Sequence, residues 1–217
     1  MGYAERINAA YPQAGVALSN EIVRVAGVVG AHPYDLANLI NHESARTFSP
    51  SVRNPRSNAT GLIQFMPKTA PDYGVTVDQL AAMGKVEQMK YVERYLKNRA
   101  RRYGPLDSPQ KLFMSVFYPV AVKWPLDKEF PRKVQIANPG TFVVRDYVSH
   151  AIRGAKLPSS SNPGAAPWLT LPFGFAKRVA KTAPLWGLAT GGVLVALLLG
   201  LTVSQLQKRM LTKKKRQ

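Results

Sequence analysis

Residues 32–44 of this 217-residue chain read HPYDLANLINHES and place one acidic side chain on an apolar helix face. Pro33 suits the first position of a helix, because that position needs no backbone N–H donor. The residues predicted for the inner face recur at helical spacing: Leu36, Leu39, Ile40 and Glu43. A carboxylate on that face loses hydration, which raises its pKa. A glycosidase needs such a carboxyl group to protonate its leaving oxygen.

The same pattern allows a structural role for Glu43, in which a carboxylate at a helix end pairs with the nearby Arg46. Periodicity alone favours this second interpretation over catalysis. The sequence that follows reverses the preference, since residues 61–70 read GLIQFMPKTA after a loop rich in Ser, Pro, Asn and Arg at 47–60.

Glu43–Ser44 and the 61–70 stretch together resemble the signature of soluble-type lytic transglycosylases, which are in the lysozyme-like superfamily. That signature begins with Glu-Ser and continues, after a variable loop, into Gly-Leu-Met-Gln-x-Met-Pro-x-Thr-Ala. Further blocks resemble the family, the last two of them its phage-type members: YVERYL at 91–96, Phe117–Tyr118 where the family has Ala-Tyr-Asn, NPG at 138–140, and Asp146–Tyr147. The resemblance covers about residues 20–153.

The resemblance implies roles for individual residues. Glu43 is expected to be the general acid and then the base, and Tyr118 is expected to hydrogen-bond and orient its carboxyl group. The expected substrate-binding residues are Ser44, Asn54, Gly61, Ile63, Gln64 and Met66. Asn54 stands in for a family serine, because the loop before Gly61 is longer than in many relatives. Pro119 replaces the usual Asn, so the function of that amide is missing, and Ile63 and Met66 also fit a plain core.

The family's reaction cleaves the MurNAc-β-1,4-GlcNAc bond of peptidoglycan, and the sugar's own 6-hydroxyl closes a 1,6-anhydro ring without water. No second carboxylate lies near Glu43 in the sequence, and the nearest acids are Asp35 and Asp72. This favours the one-acid scheme, although a hydrolytic lysozyme (muramidase) with a distant second carboxylate stays the alternative. The chain has no cysteine and only three scattered histidines, so we expect no metal and no cofactor.

The predicted fold class is mostly α: a lysozyme-like domain (α+β with minimal β) at residues 1–154, followed by a C-terminal transmembrane helix. Helices are predicted from Leu18 to Gly30, from Pro33, from Thr76 to Gly84, from Val86 to Gly104, from Ser108, and from Val144 to Gly154. The apolar run at 61–66 is predicted to be a short strand.

The C-terminal part differs in composition from the domain before it. Residues 155–181 are a Pro-, Ser- and Gly-rich linker, 182–207 are predicted to cross a membrane, and 208–217 form a basic tail. The apolar centre of the span at 183–203 is roughly 31 Å of helix, against a bilayer core of about 30 Å. A Gly-x-x-x-Gly pair at 187 and 191 allows weak homo-oligomerisation.

The excess of positive charge indicates an anionic partner but does not identify which one. All twelve acidic residues fall at or before Asp146, and residues 156–217 carry ten Lys and Arg with no acid. A basic surface attracts peptidoglycan, anionic lipid or DNA, and the tail is expected to contact lipid head groups or DNA. A nucleic-acid binder is the weaker alternative, because no recognisable binding motif is present.

The amino terminus, MGYAERINAAYPQAG, does not read as a secretory signal. Positive-inside reasoning nevertheless places the tail on the cytoplasmic side and the domain outside. A bacteriophage virion with an internal membrane would reconcile the two, giving a single-pass, membrane-anchored enzyme for wall penetration or lysis. The rival from another class is a non-enzymatic structural protein whose lysozyme-like domain only binds glycan.

Overall fold

The computed structural model describes residues 1–160 of the chain, and this part is almost entirely helical. Its α-helices are α1 (Tyr3–Ala10), α2 (Gly15–Val29), α3 (Pro33–Glu43), α4 (Val77–Ala82), α5 (Lys85–Tyr103), α6 (Pro109–Phe117), α7 (Arg132–Ala137) and α8 (Val144–Arg153). Short 3-10 turns lie at Ala70–Tyr73 and Pro119–Ala121. The mostly helical class is confirmed, and β structure within residues 1–160 is limited to isolated bridges.

The strand predicted at 61–66 is wrong, because this segment is a tight turn. Thr60 and Phe65 exchange backbone hydrogen bonds at 3.0 and 2.9 Å, which folds the residues between them back on themselves. Gly61 and Gln64 both have positive φ, at 90° and 54°. An extended strand has negative φ throughout, so an apolar composition here gives a buried turn and not a strand.

Helix α3 is the central element of the fold. It contacts α1, α2, α6 and α8, and its residues from 34 to 41 are all buried. His32 caps its amino end, since its Nδ1 accepts the Tyr34 N–H at 3.2 Å, and Pro33 takes the first helical position as predicted. The last residue of this rigid, enclosed helix is Glu43.

Helix α1, which the sequence did not predict, ties the start of the domain to its end. The Tyr11 hydroxyl after α1 donates to Asn38 Oδ1 and accepts the Lys156 N–H, both at 2.7 Å. Asn38 Nδ2 also donates to the Leu157 carbonyl oxygen at 3.0 Å. Residues 155–160, which the sequence assigns to the linker, therefore lie against α3, and the folded unit continues beyond Gly154.

No helix within residues 1–160 has the length and apolar character needed to cross a bilayer. The predicted span at 182–207 and the basic tail at 208–217 lie outside the described residues, as does most of the predicted linker.

The chain leaves α3 through two residues in the left-handed region. Ala45 has φ 51° and Arg46 has φ 68°. Their N–H groups donate back to the His42 and Asn41 carbonyl oxygens, at 3.2 and 2.7 Å, which closes the helix end. Glycine usually occupies such a helix end, because an L side chain is strained there.

We expect Ala45→Gly to raise the free energy of unfolding by about 1 kcal/mol, because it removes a strained left-handed alanine. Urea denaturation of both proteins measures the difference. Ala100→Gly, in the last turn of α5, is the matched control and should lower the free energy of unfolding by about 0.5–1 kcal/mol. Loss of stability in both variants would show that the end of α3 is not strained.

Candidate active site

Glu43 ends α3 with its carboxyl group half-buried and hydrogen-bonded to one tyrosine. The Tyr147 hydroxyl donates to Glu43 Oε1 at 2.9 Å. Burial raises the pKa of Glu43 to about 7, although the Tyr147 hydrogen bond acts in the opposite direction. A carboxyl group with this pKa is protonated in a large fraction of molecules at neutral pH, which is the state that a general acid requires.

The structural alternative for Glu43 does not hold in this geometry. Arg46 belongs to none of the ion pairs formed within residues 1–160, and neither does Glu43. An ion pair would have lowered the pKa of the carboxyl group, whereas burial raises it. Glu43 therefore has the environment of an acid catalyst.

Tyr147 is held rigidly by α8 and by the end of α6. Its ring stacks on that of Phe117, with centroids 3.7 Å apart and planes 13° from parallel. Burial, followed by the charge of Glu43, raises the pKa of Tyr147 well above its ordinary value. The phenol therefore stays protonated and donates a hydrogen bond to Oε1. The second carboxyl oxygen of Glu43 is then the one that carries the acidic proton.

The predicted hydrogen bond from Tyr118 to Glu43 is corrected by this geometry. Helix α6 ends at Phe117, and Tyr118 follows it with φ −148° and ψ 83°. The Phe117 ring stacks on that of Tyr147, whereas the Tyr118 ring packs edge-on against Trp124 and Phe130, each 5.8 Å away between centroids. The hydroxyl that donates to Glu43 is that of Tyr147.

His42 also packs against Tyr147. Its ring meets that of Tyr147 edge-on at 5.8 Å. Burial, followed by the nearby His150 and Arg46, lowers the pKa of His42 to about 4. The imidazole beside Tyr147 is therefore neutral at neutral pH.

A cleft of about 310 Å³ collects three of the predicted substrate-binding residues, namely Ile63, Gln64 and Met66. Met66 is 43% exposed, although it is a large apolar side chain, and Ile63 is 2% exposed and belongs mainly to the core. Gln64 Nε2 donates to the Val52 and Gly61 carbonyl oxygens, at 3.2 and 3.1 Å. These two bonds fix the Gln64 side chain at the wall of the cleft.

The other predicted contacts serve the loop itself. Ser44 is fully buried and its hydroxyl accepts the Phe48 N–H at 3.0 Å, so a glycan cannot reach it as predicted. Asn54 Oδ1 accepts the Arg56 N–H at 2.9 Å within its own turn. Gly61 is buried and positions the turn through its backbone. Ser44 and Gly61 therefore stabilise the loop and the turn, which corrects the predicted glycan contact of Ser44. The predicted contact of Asn54, whose side chain is exposed, stays a prediction.

Comparison with known proteins matches one segment of the chain to a family. Residues 28–105 match the family model of the transglycosylase SLT domain. No curated protein and no solved structure matches the chain. The match covers somewhat more than a third of the chain. Glu43 and the turn at 61–66 lie inside the SLT segment, whereas Phe117 and Tyr147 lie beyond it.

Gln88 holds the turn at 61–66 in place, a role that the sequence did not predict. Its Oε1 accepts the Leu62 N–H at 2.7 Å, and its Nε2 donates to the Leu80 and Pro50 carbonyl oxygens at 2.8 and 3.0 Å. The side chain is fully buried with these partners. A polar residue four positions before Val92, on the apolar face of α5, was the available signal.

The site contains one acid. Burial raises the pKa of Glu43 and the Tyr147 hydrogen bond lowers it, and no second carboxylate contributes to the shift. Asp146, next to Tyr147, accepts the N–H groups of Phe142 and Val143 at 3.0 Å and so caps α8. Within residues 1–160, His, Asp and Glu side chains do not gather in any group that could hold a metal ion.

Tyr147→Phe should lower kcat on peptidoglycan by about tenfold to a hundredfold, because the carboxyl group loses its orienting partner. It should also move the alkaline limb of the pH–rate profile to higher pH, since the lost hydrogen bond is the one that lowers the pKa of Glu43. Initial rates measured from pH 5 to pH 9 give both results. Tyr118→Phe is the matched control and should behave like the wild type. A larger loss in Tyr118→Phe would restore the prediction from the sequence.

Proposed function

We propose that this protein is a peptidoglycan lytic transglycosylase that cleaves the MurNAc-β-1,4-GlcNAc bond and leaves a 1,6-anhydro end. The observation that carries the proposal is a single carboxyl group, Glu43, with a pKa of about 7 and a fixed orientation set by Tyr147. The cleft with Gln64 and Met66 supports a bound glycan, and the SLT match supports peptidoglycan as the substrate.

The proposed reaction has two proton transfers, both at the free carboxyl oxygen of Glu43. First, Glu43 gives its proton to the glycosidic oxygen as the bond from that oxygen to the MurNAc anomeric carbon breaks. The 6-hydroxyl oxygen of the same sugar then bonds to the anomeric carbon, and its proton passes to the Glu43 carboxylate. The acid is regenerated, and no water is consumed. Tyr147 holds the carboxyl group through both steps.

The intramolecular route is favoured over hydrolysis by the one-acid arrangement. Inverting glycosidases use a second carboxylate to activate water, and retaining ones use it as a nucleophile. Asp146 is already engaged at the start of α8. A muramidase would therefore have to activate water by Glu43 alone, after it has been deprotonated.

Product analysis tests the proposal. Purified peptidoglycan is digested with the full-length protein in water enriched in ¹⁸O, and the muropeptides are analysed by mass spectrometry beside a Glu43→Gln control. The expected products carry 1,6-anhydro ends without ¹⁸O and are missing in the control. Reducing ends with ¹⁸O would show a muramidase. No digestion, with glycan binding intact, would show the non-enzymatic alternative.

A membrane location completes the proposal. The uncharged, apolar stretch at 182–207 and its basic flank support a single-pass anchor, and the basic tail supports contact with anionic lipid or DNA. We place the enzyme in the internal membrane of a bacteriophage virion, where it would act in wall penetration or host lysis, with weak self-association through the anchor.

Flotation with liposomes tests the anchor. The full-length chain should float with vesicles, and a variant that ends at residue 181 should stay at the bottom of the gradient. Equal behaviour of the two proteins would remove the anchor from the proposal. Detection of the protein in host envelopes but never in purified particles would remove the virion role.

A further inference from the structure

Arg99 lies on α5 one turn after Tyr95, and its guanidinium group is held against that ring. Its Nη2 donates to the Tyr95 hydroxyl at 3.1 Å, and its central carbon lies 4.6 Å from the ring centroid. Tyr95 is itself fixed, because its hydroxyl donates to the Ser115 carbonyl oxygen at 2.9 Å. A guanidinium group held in this way is preorganised, so it loses little freedom when it binds a ligand.

The positive charge of Arg99 is not neutralised by any neighbour in the described part of the chain. The ion pairs formed within residues 1–160 do not include it. Its Nε is also the only buried side-chain nitrogen or oxygen in that part that has no hydrogen-bond partner. Buried donors are nearly always satisfied, so an unsatisfied one indicates a missing partner.

A cleft next to Arg99 has room for such a partner. Arg99 lines the same cleft of about 310 Å³ as Gln64, Met66 and Phe117. Phe117, which lines this cleft, stacks on Tyr147, and the Tyr147 hydroxyl donates to Glu43. Arg99 therefore shares a cleft with the ring that supports the hydrogen-bond partner of the acid.

We propose that Arg99 is a specificity-determining residue that binds a carboxylate of the muramyl unit in the glycan cleft. The inference rests on the function proposed above and extends it to substrate choice. A planar guanidinium matches a carboxylate through two parallel hydrogen bonds, and within residues 1–160 the Arg99 guanidinium makes a single hydrogen bond, the one to Tyr95.

Only the muramyl part of peptidoglycan can supply this carboxylate. GlcNAc is uncharged, whereas MurNAc carries a lactyl group that ends in a carboxylate when free and in an amide when a stem peptide is attached. In the second case the free carboxylates belong to the stem peptide. Chitin, made of GlcNAc alone, offers neither, so Arg99 would favour peptidoglycan over chitin.

Binding of three tetrasaccharides by isothermal titration calorimetry tests the inference. They are a stem-free MurNAc–GlcNAc tetramer, the same tetramer with stem peptides, and chitotetraose. The full-length Glu43→Gln protein serves as the background, so that no ligand is consumed. Adding Arg99→Gln should weaken binding of one or both muramyl ligands by about ten- to thirtyfold and leave chitotetraose unchanged. The muramyl ligand whose affinity falls more shows whether the lactyl group or the stem peptide supplies the carboxylate.

Two further variants separate recognition from structure. Arg99→Lys keeps the charge but not the planar fork, so it should recover only part of the lost affinity. Arg102→Gln, on the same helix and exposed, should bind all three ligands as the background does. Equal weakening of the three ligands by Arg99→Gln, or no weakening, would overturn the inference without affecting the formation of anhydro products. Failure of the background protein to bind any ligand would instead count against the proposed function.

Discussion

Glu43→Gln should lower kcat on peptidoglycan by about a thousandfold or more, the largest loss expected from any single substitution in the site. The amide has the shape of the protonated carboxyl group but cannot give a proton to the glycosidic oxygen or take one from the 6-hydroxyl. Both steps of the proposed reaction therefore stop. The release of soluble muropeptides from labelled peptidoglycan measures the rate. Retention of more than a tenth of the activity would exclude Glu43 as the acid.

The free energy of unfolding of Glu43→Gln, measured at two pH values, tests the raised pKa of Glu43 independently of activity. The folded-state pKa of about 7 lies above the ordinary value of 4.5, so folding favours the protonated form. The stabilising contribution of that proton is complete below about pH 4.5 and is lost as the pH rises through 7. Glutamine stays neutral throughout, so Glu43→Gln should unfold like the wild type at pH 4.

At pH 8 the variant should be more stable than the wild type, by on the order of 1–2 kcal/mol after allowance for the partial exposure of the side chain. Urea denaturation at the two pH values measures this difference. A variant that is less stable than the wild type at pH 8 would mean that the Glu43 carboxylate is ionised and well paired in the folded protein. The acid-catalyst interpretation would then fail on grounds independent of activity.

The position of the acid and six of the eight α-helices within residues 1–160, all but α1 and α7, could be predicted because they depend on local patterns. Pro33 and the spacing from Leu36 to Glu43 determine where α3 begins and which face it buries. Gly30, with φ 69°, ends α2 where the sequence placed its end. The Thr76 and Gln79 capping box likewise starts α4, because both of its hydrogen bonds form within four residues.

The choice of the tyrosine beside Glu43 could not be made locally. Tyr118 and Tyr147 were both visible in the sequence, but only the packing of α8 against α3 and α6 brings the second of them to the carboxyl group. The resemblance assigned this hydrogen bond to Tyr118, which instead packs against Trp124 and Phe130. Which tyrosine reaches the acid depends on contacts between residues more than 100 positions apart, and a local pattern does not contain them.

Gly61→Ala should lower the free energy of unfolding by about 3–5 kcal/mol, through backbone strain and broken buried hydrogen bonds. Gly61 has φ 90°, and an added Cβ would lie 2.4 Å from Gln88 Oε1 and 2.8 Å from its Nε2. Gln88 cannot move freely, because it bonds to Leu62, Pro50 and Leu80. Activity should fall with stability, since the turn that carries Gln64 would be displaced.

Gly74→Ala separates the two causes of that loss. Gly74 has φ 70° but no atom within 4 Å of an added Cβ, so only the backbone term applies and the cost should be about 1–2 kcal/mol. A Gly61→Ala, Gln88→Ala double variant completes the test by urea denaturation. If the clash with Gln88 is the main cost, the two losses should be strongly non-additive, because the second substitution removes the group that the first displaces. Additive losses would mean that Gln88 yields easily to the new methyl group, and the turn would then depend on its backbone conformation and not on the buried amide.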